Sequence, residues 1–352
     1  MMRALRLLEW RSDPVLTDVD TPEPGPGQVL VRVGGAGVCH SDLHLMREFG
    51  AGDMPWNPPF TLGHENAGWV ERVGDGVQGL DRGMPVAVYG PWGCGVCQYC
   101  LQGLETYCER PEAAPVPRGG AGLGLDGGMA EYLLVPHARH VLPLPDGLDP
   151  VVAAPLTDAG LTPYHAVRRS WPKLAPTSTA VVIGIGGLGH LAVQILRATT
   201  AARVVAVDTR SAALDLARDS GADLATPPGE GVAERVRELT RGRGADVVLD
   251  CVGSDDTLAL AAAVGRVLGD LTVVGLGGGT LPVSFFSMPY EMSVQTTYWG
   301  SRFELVEVLE LAARGRLHTE ITRFGLADAP EAYRRLEEGA LTGRAVVTPS
   351  EE

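Results

Sequence analysis

Within the segment Gly37-Val38-Cys39-His40-Ser41-Asp42-Leu43-His44, a thiol, two imidazoles, a hydroxyl and a carboxylate fall within six residues. Side chains of these types can bind a metal, pass protons or activate a nucleophile. Gly63-His64-Glu65 follows a proline-rich loop, and Leu156-Thr157-Asp158-Ala159-Gly160 adds a further carboxylate. Taken singly, each piece has an ordinary reading: Cys39 a core thiol, His64 a satisfied buried imidazole, Asp158 a helix N-cap. Cys94, Cys97, Cys100 and Cys108 are different, because their Cys-x2-Cys-x2-Cys-x7-Cys spacing in a glycine-bordered loop suits four thiolates around one tetrahedral zinc. A disulfide framework would need an oxidising compartment, and Met1 to Glu9 has no apolar core for an export signal.

A second kind of chemistry is written at Gly184-Ile185-Gly186-Gly187-Leu188-Gly189, directly after the apolar run Val181-Val182-Ile183. Glycines there permit a tight turn, close approach of backbone to a pyrophosphate, and close helix–strand contact. The N–H groups that open the following helix can then hold the phosphates. A further strand candidate, Arg203–Val207, ends at Asp208. A carboxylate at that place accepts from ribose hydroxyls and repels a 2′-phosphate, which points to NAD rather than NADP. Arg210 close by is the one feature that favours the phosphate.

The elements that must position these groups fall into two textures. The length of 352 residues suits two domains. Up to about residue 155 the chain reads as β-rich, with Gln28–Val33, Gly68–Val73 and Met84–Tyr89 set off by turn signals. From about 178 it alternates: strands at Thr179–Ile183, Arg203–Val207, Ala245–Asp250 and Leu271–Val274, and helices from Leu188 to Thr199 and around Ala212–Asp219. That alternation predicts a parallel sheet with helices on both faces. The last part carries a helix, Glu304–Arg314, and a strand near Arg344–Thr348.

Composition narrows the classes. A net charge of −14 argues against nucleic acid or an anionic membrane as partner. The uncharged stretch from Leu174 to Leu196 is broken by four glycines, so it reads as strand, turn and helix rather than as a membrane span. A cytoplasmic location is expected.

With all these segments in view, the chain resembles the zinc-dependent medium-chain alcohol dehydrogenases from end to end, and looks most like the bacterial NAD-dependent secondary-alcohol branch. Tyr89-Gly90-Pro91-Trp92-Gly93-Cys94-Gly95 and Pro155-Leu156-Thr157-Asp158-Ala159-Gly160-Leu161-Thr162-Pro163-Tyr164-His165 carry that look. The resemblance implies an α/β protein with a GroES-like β-rich catalytic domain over 1–158 and 299–352. A Rossmann domain, a doubly wound parallel sheet, would occupy 159–298. It implies two zinc ions per chain: a structural one on the four cysteines and a catalytic one on Cys39, His64 and Asp158 with an open position. Alcohol dehydrogenase as usually described uses two cysteines and a histidine, so Asp158 exchanges a soft ligand for a hard one. Glu65 would support the site or ligate transiently.

The same resemblance distributes the remaining roles. Zinc would act as a Lewis acid on the alcohol while hydride passes to the nicotinamide. Ser41 would take the proton and pass it through the nicotinamide ribose to His44, and Asp42 would hold His64 in its tautomer. His40 and Arg344 would face the pyrophosphate. Thr162, Gly184, Gly186, Gly187, Leu188, Gly189, Asp208, Arg210, Val252, Gly275 and Leu276 complete the implied cofactor positions. Trp56, Leu123, Tyr298 and Trp299 would line an apolar pocket for medium aliphatic or aryl-alkyl secondary alcohols. A homodimer or homotetramer is expected. The rival readings are a polyol dehydrogenase with Glu65 as ligand, and a zinc-free or non-catalytic NAD-binding relative on the same fold.

Overall fold

The computed structural model describes residues 1–229 and 231–349. It separates into two compact units. The first comprises residues 1–161, 300–314 and those from 319 on; the second comprises Thr162–Trp299 and Gly315–His318. The divisions thus fall at 161/162 and 299/300 rather than at 158/159 and 298/299. The excursion at Gly315–His318 has a local cause. Gln194 Nε2 donates to His318 O at 2.9 Å and His318 N donates to Gln194 Oε1 at 2.7 Å, which ties that stretch to the second unit.

Among the described residues, the first unit is built on a seven-stranded sheet. Its order is Val141–Pro143, Pro85–Val88, Glu65–Val73, Val29–Val38, Arg344–Val347 and Ile321–Phe324, with Tyr132–Val135 also paired to Val29–Val38. The central strand continues well past the expected Gln28–Val33. Gly34, Gly35 and Gly37 carry no apolar signal, yet the backbone goes on pairing through them. Their missing side chains make room for others: a Cβ at Gly34 would lie 2.7 Å from the Trp69 ring, and one at Gly37 would lie 1.9 Å from Glu65 Oε2. Arg344–Val347 runs antiparallel to this one, with Ala345 opposite Val38, so that strand lies beside the entry to Cys39.

Two helices follow in the C-terminal part. Arg302–Ala313 starts with a reciprocal cap, Ser301 Oγ accepting from Glu304 N at 3.1 Å while Glu304 Oε2 accepts from Ser301 N at 2.7 Å. The second, Ala329–Glu337, lies outside the elements the sequence pattern predicts. Its Pro330 near the start, its early Glu331 and its late Arg334 and Arg335 are ordinary helix signals that a short loop-bounded segment obscured.

The second unit holds a six-stranded sheet among its described residues, in the order Leu224–Thr226, Arg203–Val207, Thr179–Ile183, Ala245–Asp250, Gly265–Val273, Ser293–Thr296. Every adjacent pair is parallel. This is the doubly wound order, in which the chain reverses direction across the sheet beside Thr179–Ile183 and a crevice opens at the strand ends. Val181, Ile183, Val205, Val207, Val248 and Leu271 form its core, the near-continuous apolar strands that a sheet covered on both faces requires.

Backbone closeness within the first sheet yields a stability prediction. A Cβ at Gly68 would lie 2.1 Å from the carbonyl oxygen of Arg32, a backbone atom that cannot turn aside. Gly68→Ala should destabilise by about 2–3 kcal/mol, lowering the melting temperature by about 5–10 °C. A melt superimposable on the parent's would show that the sheet yields freely here.

Candidate metal centres and dinucleotide loop

Among the described residues, two groups of side chains bring ligand atoms within 4.8 Å of one another. The first is Cys94, Cys97, Cys100 and Cys108. Cys94 Sγ and Cys100 Sγ are 3.9 Å apart, close to the roughly 3.8 Å edge that a tetrahedron with Zn–S bonds of about 2.3 Å requires. The loop is shaped around the sulfurs: a Cβ at Gly93 would approach Cys100 Sγ to 2.6 Å, and Gly95 takes a positive φ of 80°. Backbone N–H groups aim at the thiols. A hydrogen bond from Val96 pulls Cys94 down, and although burial opposes it, N–H donors of Cys100 and Glu109 bring Cys97 down to about 6. Burial pushes Cys100 and Cys108 the other way, so it is the gathering of four sulfurs at tetrahedral spacing that fits a zinc ion.

One carboxylate anchors that loop. Glu105 has a fully buried side chain and accepts from Gly93 N at 2.8 Å, Arg139 Nε at 3.1 Å and His140 Nε2 at 2.8 Å, with Arg302 Nε 3.3 Å away. Burial works against its charge, yet His140 and Arg139 hold its carboxyl down at about 2. Burial likewise keeps His140 neutral, at about 4. Sequence reasoning missed Glu105, since its partners come from three distant segments and no spacing advertises them.

The second group is Cys39, His64, Glu65 and Asp158. Cys39 caps the helix His40–Arg47, so its sulfur is fixed at the end of the central strand while Ser41, Asp42 and His44 ride on the first turns. His64 Nε2 lies 3.4 Å from Asp158 Oδ2, and His64 Nδ1 lies 3.1 Å from Asp42 Oδ1. Burial disfavours charge on His64, but Asp42 and Asp158 hold the imidazole well above its ordinary value, so the pocket favours positive charge here. Burial also pushes Glu65 up to about 7 despite Arg344. Glu65 Oε1 is buried without a hydrogen-bond partner among the described residues. A thiol, an imidazole and two carboxylates, with one carboxylate oxygen orphaned, form a donor set that fits a divalent cation of zinc's character.

Arg344, expected to face the pyrophosphate, is buried and has its guanidinium paired with Glu65 Oε2. The reason is electrostatic: Glu65 is fully buried near Asp158, and a cation reaching from the strand on the other side of Val29–Val38 offsets the charge. Ser41 is half-buried, and Cys39 Sγ donates to its Oγ at 3.6 Å. His44, three residues further and so on the same helix face, places Nδ1 2.9 Å from Glu48 Oε2. His40 is exposed.

In the second unit, Gly184 has a φ of +85°, and a Cβ at Gly189 would lie 1.9 Å from Gly184 O. Leu188 caps the helix Gly189–Thr199, whereas a Cβ at Gly186 would meet only Arg210 Nη2, at 3.9 Å. Asp208 is bound into this loop: Oδ2 accepts from Ile185 N at 2.7 Å and Oδ1 from Arg210 N at 2.9 Å. Beside it, Gly275 packs against the Val252 backbone and Leu276 is exposed. Thr162 is buried at the start of the helix Leu161–Arg169. Trp56 and Leu123 are buried in the first unit; in the second, Trp299 is buried and Tyr298 half-exposed, their rings 5.3 Å apart.

Comparison with known proteins accords with this geometry. Residues 25–146 match the alcohol dehydrogenase GroES-like domain and residues 187–314 the zinc-binding dehydrogenase domain. An NAD-dependent alcohol dehydrogenase of Sulfurisphaera tokodaii is 38% identical over 99% of this chain and 100% of its own length. A D-arabinose 1-dehydrogenase (NADP(+)) of Saccharolobus solfataricus is 33% identical, over 97% of this chain and 97% of its own. Among solved structures, an alcohol dehydrogenase of Aeropyrum pernix superimposes with a TM-score of 0.89 at 37% identity, covering 99% of this chain and 100% of that one.

The Glu105 anchor makes the cysteine loop testable. Glu105→Ala leaves His140, Arg139 and Arg302 without their acceptor, and breaking a buried pair from one side costs about 3–5 kcal/mol. The variant should melt well below the parent and release the cysteine-bound metal faster to a chelator. An unchanged melt and release rate would remove Glu105 from this role.

Proposed function

The chain belongs to the zinc-dependent medium-chain alcohol dehydrogenase family, and on that premise we propose that it interconverts alcohols and ketones or aldehydes with NAD as hydride acceptor. The observation that carries this reading is the single group formed by Cys39, His64, Glu65 and Asp158 in the same chain as the strand–glycine turn–helix at Ile183–Gly189. Zinc held by Cys39, His64 and Asp158 supplies Lewis acidity toward the alcohol or carbonyl oxygen. Asp42 fixes the His64 ring through Nδ1 and so turns Nε2 toward Cys39 and Asp158. Ser41 Oγ accepts the substrate proton as it releases its own hydroxyl proton outward, and His44, one helical turn further on, serves as the outer acceptor. Trp56 and Leu123 give substrate an apolar wall and keep water away. Glu65 supports the site, balanced by Arg344. His40 and the residues around Gly184, Val252 and Gly275 hold NAD, and Asp208 selects against a 2′-phosphate.

The finer parts of the proposal are secondary alcohols of medium aliphatic or aryl-alkyl type, two zinc ions per chain, and a homodimer or homotetramer. The exposed cluster of Phe285, Phe286 and Tyr290, with rings 4.9 and 5.4 Å apart, supports self-association. No helix among the described residues is long and apolar enough to cross a membrane, and the free thiols suit a reducing compartment such as the cytoplasm. A second reading, oxidation of a sugar or polyol, is favoured by the arabinose-oxidising relative and by Glu65 within the donor group.

Two measurements decide between these. Secondary alcohols, primary alcohols, polyols and aldoses should be offered with NAD and with NADP, reading the absorbance of the reduced nicotinamide, while elemental analysis counts zinc. The expected result is the highest kcat/KM for a secondary alcohol with NAD, and two zinc per chain. An aldose or polyol turned over fastest would carry the second reading instead.

The proton path gives its own prediction. Ser41→Ala should lower turnover by about 10²–10⁴-fold, since no other hydroxyl in the motif can take the proton. His44→Gln should lose less, because water substitutes at the outer end. Equal, parent-like turnover in both variants would place the relay elsewhere.

A further inference from the structure

Tyr333 lies on the Ala329–Glu337 helix and is 3% exposed. Its hydroxyl donates a 2.8 Å hydrogen bond to Asp42 Oδ2. The same oxygen accepts from Cys39 N at 3.3 Å, while Asp42 Oδ1 faces His64 Nδ1 at 3.1 Å. Both oxygens of a carboxylate with no solvent exposure are therefore engaged. The hydroxyl, not the ring, is the informative part: a phenylalanine would fill the same space, and burying a hydroxyl is unfavourable unless it is paired.

We propose that Tyr333 is a positioning residue of the reaction, locking the rotation of the Asp42 carboxylate and through it the orientation of the His64 imidazole toward Cys39 and Asp158. The inference rests on the reading of Cys39, His64 and Asp158 as the zinc site. A second contact joins the same two helices at the surface, where Arg47 Nε lies 3.1 Å from Glu337 Oε1 and Nη1 lies 2.7 Å from Asp13 Oδ1. Exposed pairs of that kind hold geometry weakly. The buried contact is the one that can fix an angle. Without the tyrosine hydroxyl, Asp42 Oδ2 keeps only the longer bond from Cys39 N, and the carboxylate can swing away from His64 Nδ1.

The test uses the zinc-loaded enzyme and three variants, Tyr333→Phe, Asp42→Asn and the double substitution. Zinc release to a colorimetric chelator is followed alongside kcat and KM. Loss of a partner directly behind a metal-bound histidine weakens metal binding by about 10–100-fold, so Asp42→Asn should release one zinc in that range. Tyr333→Phe, one contact further out, should accelerate release by about 3–10-fold and lower kcat more than it raises KM. In the double variant Tyr333→Phe should add nothing, because its only route runs through Asp42. Release and kcat at parent values in Tyr333→Phe would overturn the proposal, as would effects that multiply in the double variant, the mark of a separate packing role. Should the parent hold only the zinc of the four cysteines, shown by loss of all zinc in Cys100→Ser, the zinc-site reading fails and this proposal falls with it.

Discussion

Desolvated negative charge is the constraint around which the first unit is organised. Asp42 and Glu65 have no side-chain exposure, and Asp158 has little. Carboxylates taken out of water are unfavourable unless each finds a cation or donors. Asp42 has Tyr333, Cys39 N and His64; Glu65 has Arg344; Asp158 has His64. That requirement accords with the bare Gly37 beside Glu65 and with the buried Arg344 that reaches it. The sheet is a frame for holding acids dry, and the metal chemistry uses what the frame has concentrated.

The cysteine loop solves a comparable problem differently. Its sulfurs meet N–H groups within the same loop, and Glu105 then joins the loop to Gly93, Arg139, His140 and Arg302. Local spacing decides the ligands and a buried ion cluster decides where the loop sits. The two centres thus differ in what a mutation away from the ligands can do, since one depends on distant chain segments for orientation and the other for attachment.

How much of this was readable beforehand follows the range of the interactions. The four cysteines, the glycine turn after Ile183 and the alternation of strands and helices are local patterns, and each appears where the spacing put it. Glycines hid the second half of Val29–Val38, because pairing there depends on backbone and on the Trp69 and Glu65 side chains of the neighbouring strand. Arg344 could be assigned a ligand-facing role from its position in the chain but not its actual partner, since only the register of Arg344–Val347 against the central strand brings it to Glu65. Glu105 and Tyr333 carried no signal at all. Their roles are defined by residues that the sequence keeps far apart.

Those separations bear on how the protein is made. Tyr333 and Asp42 are 291 residues apart, and Arg344 and Glu65 are 279 apart. Cys39, Asp42, His64 and Glu65 leave the ribosome well before Tyr333 and Arg344, the side chains that orient and neutralise them. A nascent chain at about 5–20 residues per second carries these acids for many seconds with no arginine or tyrosine to settle them. The cysteine loop, whose four ligands emerge close together, can close as soon as it is exposed. Assembly of the two centres is therefore sequential by construction: the four sulfurs can gather first, and the mixed-ligand group gains Tyr333 and Arg344 only once those far later segments have emerged.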